Sequence, residues 1–84
     1  MSGMMKDVYE LSPSMRVLIL LHNISAVDYS SAKRVEDIDG LSGMSEQELQ
    51  NALDELASYG YVLRRDGLYY LSGLGISIIR SIYT

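Results

Sequence analysis

The sequence predicts a mainly α-helical domain with one small β-hairpin, that is, an α+β fold. Ser12 and Ser45 each precede a segment with helical apolar spacing, at the position where a serine hydroxyl caps a helix N-terminus. After Gly60 the pattern becomes strand-like, and Asp66-Gly67 follows as a typical hairpin-turn pair. We therefore expect three helices, a hairpin and a closing helix, in that order.

Length and composition limit the chain to one small domain. Its 84 residues are 48% apolar and 21% charged, the balance of a folded globular protein rather than of a disordered chain. We expect residues 11–84 to form the domain, and residues 1–10 to be either a flexible N-terminal tail or an added dimer element. The sequence contains no cysteine, so it offers no disulfide framework and no cysteine-ligated zinc.

The sequence shows no sign of a membrane-spanning segment or of secretion into an oxidising compartment. Its longest uninterrupted apolar run covers residues 17–21, far short of the roughly 20 residues needed to span a bilayer. The N-terminus lacks the basic stretch and apolar core of a secretory signal. We therefore expect a cytoplasmic protein without a membrane partner.

The first helix is predicted over residues 13–22. Ser12 supplies the capping hydroxyl, and Pro13 suits the first helical position. Apolar residues occupy almost every side of this segment, so a buried strand over residues 17–21 is the alternative. The cap favours the helix.

A short second helix is predicted after a serine-rich loop, from apolar residues at a spacing of three. These residues are Val35, Ile38 and Leu41. Ser31 precedes them as a candidate cap, and Gly40 and Gly43 follow as stop signals.

The third helix is predicted to begin at Glu46. Ser45 and Glu48 have the spacing of a capping box, in which each side chain bonds the backbone NH of the other residue. Gly60 then supplies a left-handed end. The apolar stripe of this helix consists of Leu49, Ala52, Leu53 and Leu56. Six residues on the inward sides of the first three helices are expected to share one core: Leu18, Val35, Ile38, Leu49, Leu53 and Leu56.

The hairpin strands are predicted over residues 61–64 and 68–71, which are rich in β-forming side chains. They flank Arg65-Asp66-Gly67, in which Asp-Gly favours a tight turn. A two-stranded hairpin is marginal alone in water, so we expect it to pack against the helices.

The closing helix, predicted over residues 73–83 after a Ser72 cap, has an unusually wide apolar surface. One small core cannot cover all of its sides, and a two-fold pair is the commonest way to bury such a surface. We therefore expect a homodimer through this helix. The predicted interface residues are Ile76, Ile79 and Tyr83 on one side, and Ile78 and Ile82 on another.

Three local motifs accompany this order of elements: LSPSMRVL at residues 11–18, LASYGYV at residues 56–62 and YLSGLG at residues 70–75. Together they resemble the winged helix-turn-helix domain of MarR-type and related small archaeal and bacterial transcription regulators. The resemblance covers residues 11–82. It implies a three-helix core, a third helix that enters the major groove of double-stranded DNA, and a hairpin that serves as the wing.

The resemblance also assigns roles to individual side chains. Gln47, Gln50 and Asn51 on the third helix are the candidate base readers, because their amides can pair with adenine edges. Two basic pairs are the candidate phosphate contacts: Lys33 and Arg34 before the second helix, and Arg64 and Arg65 at the wing. The alternative for the wing arginines is that they only keep an edge strand soluble.

The charge balance favours a second function. The formal net charge is −4, and residues 45–58 carry four acidic side chains and no lysine or arginine. Phosphate contact ordinarily requires cations. The alternative function is therefore a winged-helix protein-interaction module whose acidic third helix binds a basic protein partner without binding DNA.

No catalytic residue, metal ligand set or cofactor is predicted. His22 is the only histidine, and without cysteine the chain cannot form a Cys-His pair. A single histidine gives no metal site. We therefore do not expect an enzyme.

Overall fold

The computed structural model describes residues 12–83 of the chain. Within these residues the elements are α1 (Pro13–Asn23), a 3₁₀ turn (Tyr29–Ser31), β1 (Lys33–Arg34), α2 (Val35–Ser42), α3 (Glu46–Ser58), β2 (Val62–Arg65), β3 (Leu68–Leu71) and α4 (Gly73–Tyr83). The predicted α+β class is confirmed, as four helices with a small antiparallel sheet. The predicted tail at residues 1–10 lies outside the described residues.

The three serine caps are confirmed. The hydroxyl of Ser12 accepts the NH of Met15 at 3.2 Å, and the hydroxyl of Ser45 accepts the NH of Glu48 at 3.1 Å. Ser72 accepts the NH of Gly75 at 3.0 Å in the same way. Each bond satisfies a backbone donor that the first turn of a helix leaves without a partner.

The predicted Ser31 cap for α2 is wrong, because α2 begins only at Val35. Ser31 instead closes the 3₁₀ turn, where its NH donates to the Asp28 carboxylate at 3.0 Å. Of the two predicted stop signals, Gly40 is wrong, because α2 continues through it to Ser42. Gly43 is confirmed: this residue has a φ of 70° directly after α2, in the left-handed region that glycine adopts without strain.

The sheet has three strands in the order β1-β3-β2, all antiparallel. The β2–β3 hairpin was predicted and β1 was not. Arg65 belongs to β2 rather than to the turn, which leaves Asp66 and Gly67 as a two-residue loop. Both loop residues have positive φ, 55° and 78°, as a type I′ turn requires.

The core lies between the helices and one face of the sheet. Five of the six predicted core residues are buried, and Val35 is half-buried and packs against them. The sheet and α4 add four further buried side chains: Val62, Tyr69, Leu71 and Ile79. The hairpin therefore packs against the helices, as expected.

The prediction that Ile79 lies at a dimer interface is wrong. Ile79 is 1% exposed and belongs to the core, because this side of α4 packs against α1 and β3. Ile76 and Ile78 are half-buried against the same core. Among the described side chains of α4, the large apolar ones that remain exposed are Leu74 and Ile82. The side chain of Tyr83 lies outside the described residues.

Ser72 joins the end of α3, the start of β2 and the start of α4. Its hydroxyl donates to the Gly60 carbonyl at 2.6 Å, and its NH donates to the Tyr61 carbonyl at 3.0 Å. Gly75, the third residue of α4, lies directly against the same Tyr61 carbonyl, so that a Cβ at this position would overlap the oxygen. This joint therefore requires glycine at position 75.

Candidate nucleic-acid interface

Each of the two basic pairs is divided between the two faces of the sheet. Lys33 and Arg64 both lie directly opposite Tyr69, whereas Arg34 and Arg65 both lie opposite Leu68. Directly opposed residues of antiparallel strands point to the same face, and successive residues alternate. One face therefore carries the row Lys33–Tyr69–Arg64, which we call the inner row. The other carries the row Arg34–Leu68–Arg65, which we call the outer row.

The inner row contacts α3 through Tyr69. This tyrosine is 2% exposed, and its hydroxyl accepts the side-chain amide of Gln50 at 3.3 Å. The guanidinium of Arg64 lies 5.9 Å from the centroid of the Tyr69 ring. The fold thus brings one predicted base reader and two predicted phosphate contacts around a single buried tyrosine.

The three amide side chains of α3 are hydrogen-bonded along the helix. Gln47 donates to Asn51 at 3.0 Å, and Gln50 donates to Asp54 at 3.0 Å. Gln47 and Asn51 are exposed, while Gln50 is half-buried. These bonds hold the amides in fixed orientations, and a base edge would have to replace a bond that already exists.

The acidic side chains of α3 have structural partners of their own. Asp54 accepts from Gln50, and Glu55 accepts the Ser14 hydroxyl from α1. Glu46 and Glu48 stand in the first turn, where negative charge interacts favourably with the helix dipole. Of the predicted capping box, the Ser45 half is present, and within residues 12–83 no return bond from Glu48 accompanies it. All four carboxylates are on exposed residues.

A tyrosine from the loop before β1 lies at the tip of the hairpin. The hydroxyl of Tyr29 donates to the Asp66 carboxylate at 2.8 Å, and the guanidinium of Arg65 lies 4.4 Å from the Tyr29 ring centroid. The ring also meets Tyr70 edge-on at 6.4 Å. The hydrogen bond from Tyr29 to the Asp66 carboxylate raises the pKa of Tyr29. These contacts hold the outer-row arginine against an aromatic face.

Sequence reasoning did not find Tyr29. It stands 37 residues before Asp66, in a loop without periodicity, and nothing local links the two.

The described residues contain no group of three histidine, cysteine or acidic side chains placed to hold a metal ion. His22 lies in the last turn of α1, and its Nδ1 is buried with no hydrogen-bond partner in the described part of the chain. Within residues 12–83, every helix is too short or too polar to cross a lipid bilayer.

Comparisons of the chain with protein-family models, with curated proteins and with solved structures gave no match. The functional interpretation therefore depends on the geometry: the two basic rows, the Gln50–Tyr69 contact and the polar side of α3.

Proposed function

We propose that this chain is a DNA-binding transcription regulator of the winged-helix type, acting in the cytoplasm. The observation that carries the proposal is the contact between Gln50 of α3 and Tyr69 of the inner row. It joins the helix that would enter the major groove to β3, which pairs with the two strands that carry Lys33 and Arg64. Base-reading amides and phosphate-binding cations would then approach the duplex together.

The division of the cations between two faces suggests how the hairpin would meet DNA. Arg64 and Arg65 are adjacent in β2 and point to opposite sides of the sheet. A hairpin with positive charge on both faces fits between two phosphate strands better than flat against one. We therefore propose that the hairpin lies across a groove, with the inner row toward one backbone and the outer row toward the other.

We propose that the regulator is a homodimer through α4. In the described part of this helix the exposed apolar residues are Leu74 and Ile82, with Ile78 half-buried between them at the same helical spacing. A symmetric pair would cover this surface and bring roughly eight cations to one duplex, four from each protomer.

A second candidate is a protein-interaction module that binds a basic partner through α3. The observation that favours it is the exposure of Glu46, Glu48, Asp54 and Glu55 on a helix without lysine or arginine. Such a surface repels phosphates and attracts cations.

A salt titration of binding to mixed-sequence duplex DNA distinguishes the two proposed functions. A regulator should bind the duplex with an affinity that falls as salt rises. Replacing Arg64 and Arg65 together by alanine should weaken binding to all sequences and reduce the salt slope by about 0.9 for each lost phosphate contact. Gln50→Ala should instead alter sequence preference.

Arg80→Ala is the control, because it removes an exposed positive charge from α4 rather than from a strand of the sheet. It should leave the salt slope nearly unchanged. If the unaltered protein does not bind duplex even at low salt, the regulator proposal fails and capture of a basic protein partner becomes the expected result.

A further inference from the structure

The face of the sheet that carries the outer row, here called the outer face, presents apolar and aromatic side chains to solvent. Besides the outer row it holds Leu63 and Tyr70, which lie directly opposite each other in β2 and β3. Leu63 is 42% exposed, and Leu68 and Tyr70 are half-buried. The core lies on the opposite face, which carries the buried Val62 and Leu71. An apolar surface outside the core is a candidate contact surface.

Tyr29 adds its ring to the outer face. The ring centroid lies 4.4 Å from the Arg65 guanidinium and 6.4 Å from the ring centroid of Tyr70, and both of these residues point to this face. The hydrogen bond from the Tyr29 hydroxyl to Asp66 holds the ring at the tip of the hairpin. Tyr29 is 39% exposed and Arg65 is exposed, so the ring and the guanidinium together keep a surface toward solvent.

The inner row contains a similar pair that offers no such surface. The guanidinium of Arg64 lies 5.9 Å from the Tyr69 ring centroid, but Tyr69 is 2% exposed. Its ring belongs to the core and is closed to a ligand. Two adjacent arginines thus pair with two tyrosines, and the outer pair is the one that a binding partner can reach.

The outer face also carries positive charge. Arg34 and Arg65 lie on the two outer strands, which are about 10 Å apart across β3. Asp66 is the only acidic residue between positions 61 and 72, and its carboxylate accepts the hydrogen bond from Tyr29. Unpaired nucleobases stack on aromatic rings and on guanidinium planes, while cations attract the phosphates that follow them. Exposed rings beside arginines therefore fit a single strand of nucleic acid.

We propose that the outer face binds an unpaired DNA strand, with one base stacked on the Tyr29–Arg65 pair and a phosphate near Arg34. The inference rests on the proposed function in one respect: the unpaired strand leaves the same duplex that α3 and the inner row bind. The hairpin then stands at a junction, with duplex on its inner side and the separated strand on its outer side. On a fully paired site the outer row contacts the second backbone instead.

Fluorescence anisotropy with an oligothymidylate of about 12 nucleotides tests the outer face without a duplex. Tyr29→Leu should weaken this binding by about fivefold or more, the loss expected from one base stack. Tyr29→Phe keeps the ring and should retain most of the affinity. Tyr59→Leu is the matched control, because it removes a tyrosine that is 60% exposed but lies directly after α3, outside the sheet. It should leave the affinity unchanged.

Photo-cross-linking locates the strand independently of affinity. An oligothymidylate in which 5-iodouracil replaces one thymine should cross-link to Tyr29 or Tyr70, as mapped by mass spectrometry. A cross-link confined to residues outside the outer face would overturn the proposal.

A duplex with a single-stranded extension tests the junction. It should bind more tightly than the same duplex with blunt ends, and Tyr29→Leu should remove the difference. Equal losses for Tyr29→Phe and Tyr29→Leu would overturn the proposal, because the hydroxyl rather than the ring would then determine binding. Urea midpoints of each variant confirm that the domain is folded.

Failure of this inference and failure of the proposed function give different results. Binding to the blunt duplex without binding to oligothymidylate would refute the outer-face site and leave the regulator. Binding to oligothymidylate without binding to the blunt duplex at low salt would refute the regulator and the junction, and would leave a site for single strands alone.

Discussion

Gln50 donates a hydrogen bond of 3.3 Å to the hydroxyl of Tyr69, which joins the polar side of α3 to the central strand of the sheet. Tyr69 is almost completely buried, so this hydroxyl depends on a protein partner rather than on bulk water. The contact fixes the distance between the helix and the hairpin, the two elements that would meet DNA.

Tyr69→Phe removes this hydrogen bond and keeps the ring. The expected result is a loss of about 0.5–1.5 kcal/mol in the free energy of unfolding, the usual net contribution of one such bond. Urea denaturation measures the loss. In a double-mutant cycle with Gln50→Ala, the two effects should be less than additive. Strict additivity would show that the bond does not couple α3 to β3.

Leu53→Ala tests the core. Leu53 of α3 is fully buried in the hydrophobic core, and its truncation should cost about 2–5 kcal/mol of unfolding free energy. Leu41→Ala removes the same atoms from a residue that is 60% exposed, and it should cost less than about 0.5 kcal/mol. Similar losses for the two variants would contradict the described core.

Gly75→Ala tests the joint between the sheet and α4. The added Cβ overlaps the Tyr61 carbonyl oxygen, and backbone must move to admit it. We expect a loss of about 1–3 kcal/mol, as for other overpacked positions. Gly73→Ala is the control on the same helix, because a Cβ there meets nothing within 4 Å. Thermal or urea unfolding in which Gly75→Ala is as stable as Gly73→Ala would argue against this packing.

Asp28 gives the domain a pH-dependent contribution to stability. Hydrogen bonds from Ser30 and Ser31 to its carboxylate hold the pKa below the ordinary value of 3.8. The folded state therefore binds this proton less readily than the unfolded state does. The ionised Asp28 carboxylate therefore contributes fully to stability above its pKa in the unfolded state. This contribution is lost as the pH falls through the lower pKa of Asp28 in the folded state.

Asp28→Asn removes this ionisation. Urea midpoints of the two proteins should differ at pH 6 to 7 and converge as acid protonates Asp28 in the unaltered chain, roughly below its ordinary pKa. A difference that stays constant down to the acid limit would assign the effect to something other than the carboxylate charge.

Ile82→Asp tests the proposed dimer without disturbing the core, because Ile82 is 46% exposed in the single chain. Light scattering of the unaltered protein at micromolar concentration should give twice the 9.4 kDa chain mass, and the variant should give one chain mass. Ile79→Asp is a useful contrast: it places a charge in the core and should unfold the domain. A monomeric unaltered protein would refute the dimer.

The features predicted correctly from the sequence depend on local chemistry. The caps at Ser12, Ser45 and Ser72 each use a hydroxyl and an NH three residues later, so a short stretch of sequence contains the whole interaction. The Asp66-Gly67 turn is local in the same way, because its two positive φ values need only residues that tolerate them.

The features that were missed depend on partners distant in sequence. Strand β1 has two residues, too few to show a period, and it exists because Lys33 and Arg34 pair with β3 more than 30 residues later along the chain. Ile79 was misassigned for a related reason. Helical spacing groups Ile76 with Ile79, but it does not say which side of α4 faces α1, and tertiary packing decides that.

The alternation of Arg64 and Arg65 between the two rows means that apolar residues determine where the positive charges lie. Slipping β2 by one residue against β3 would exchange the two arginines, but it would also turn Val62, which is 1% exposed, out of the core. The residue that would lose its burial, Val62, is at the start of β2, whereas the two arginines are at its end. Substitutions at positions 64 and 65 can therefore change the charge pattern without altering the register, whereas a polar residue at position 62 would displace charges that it does not touch.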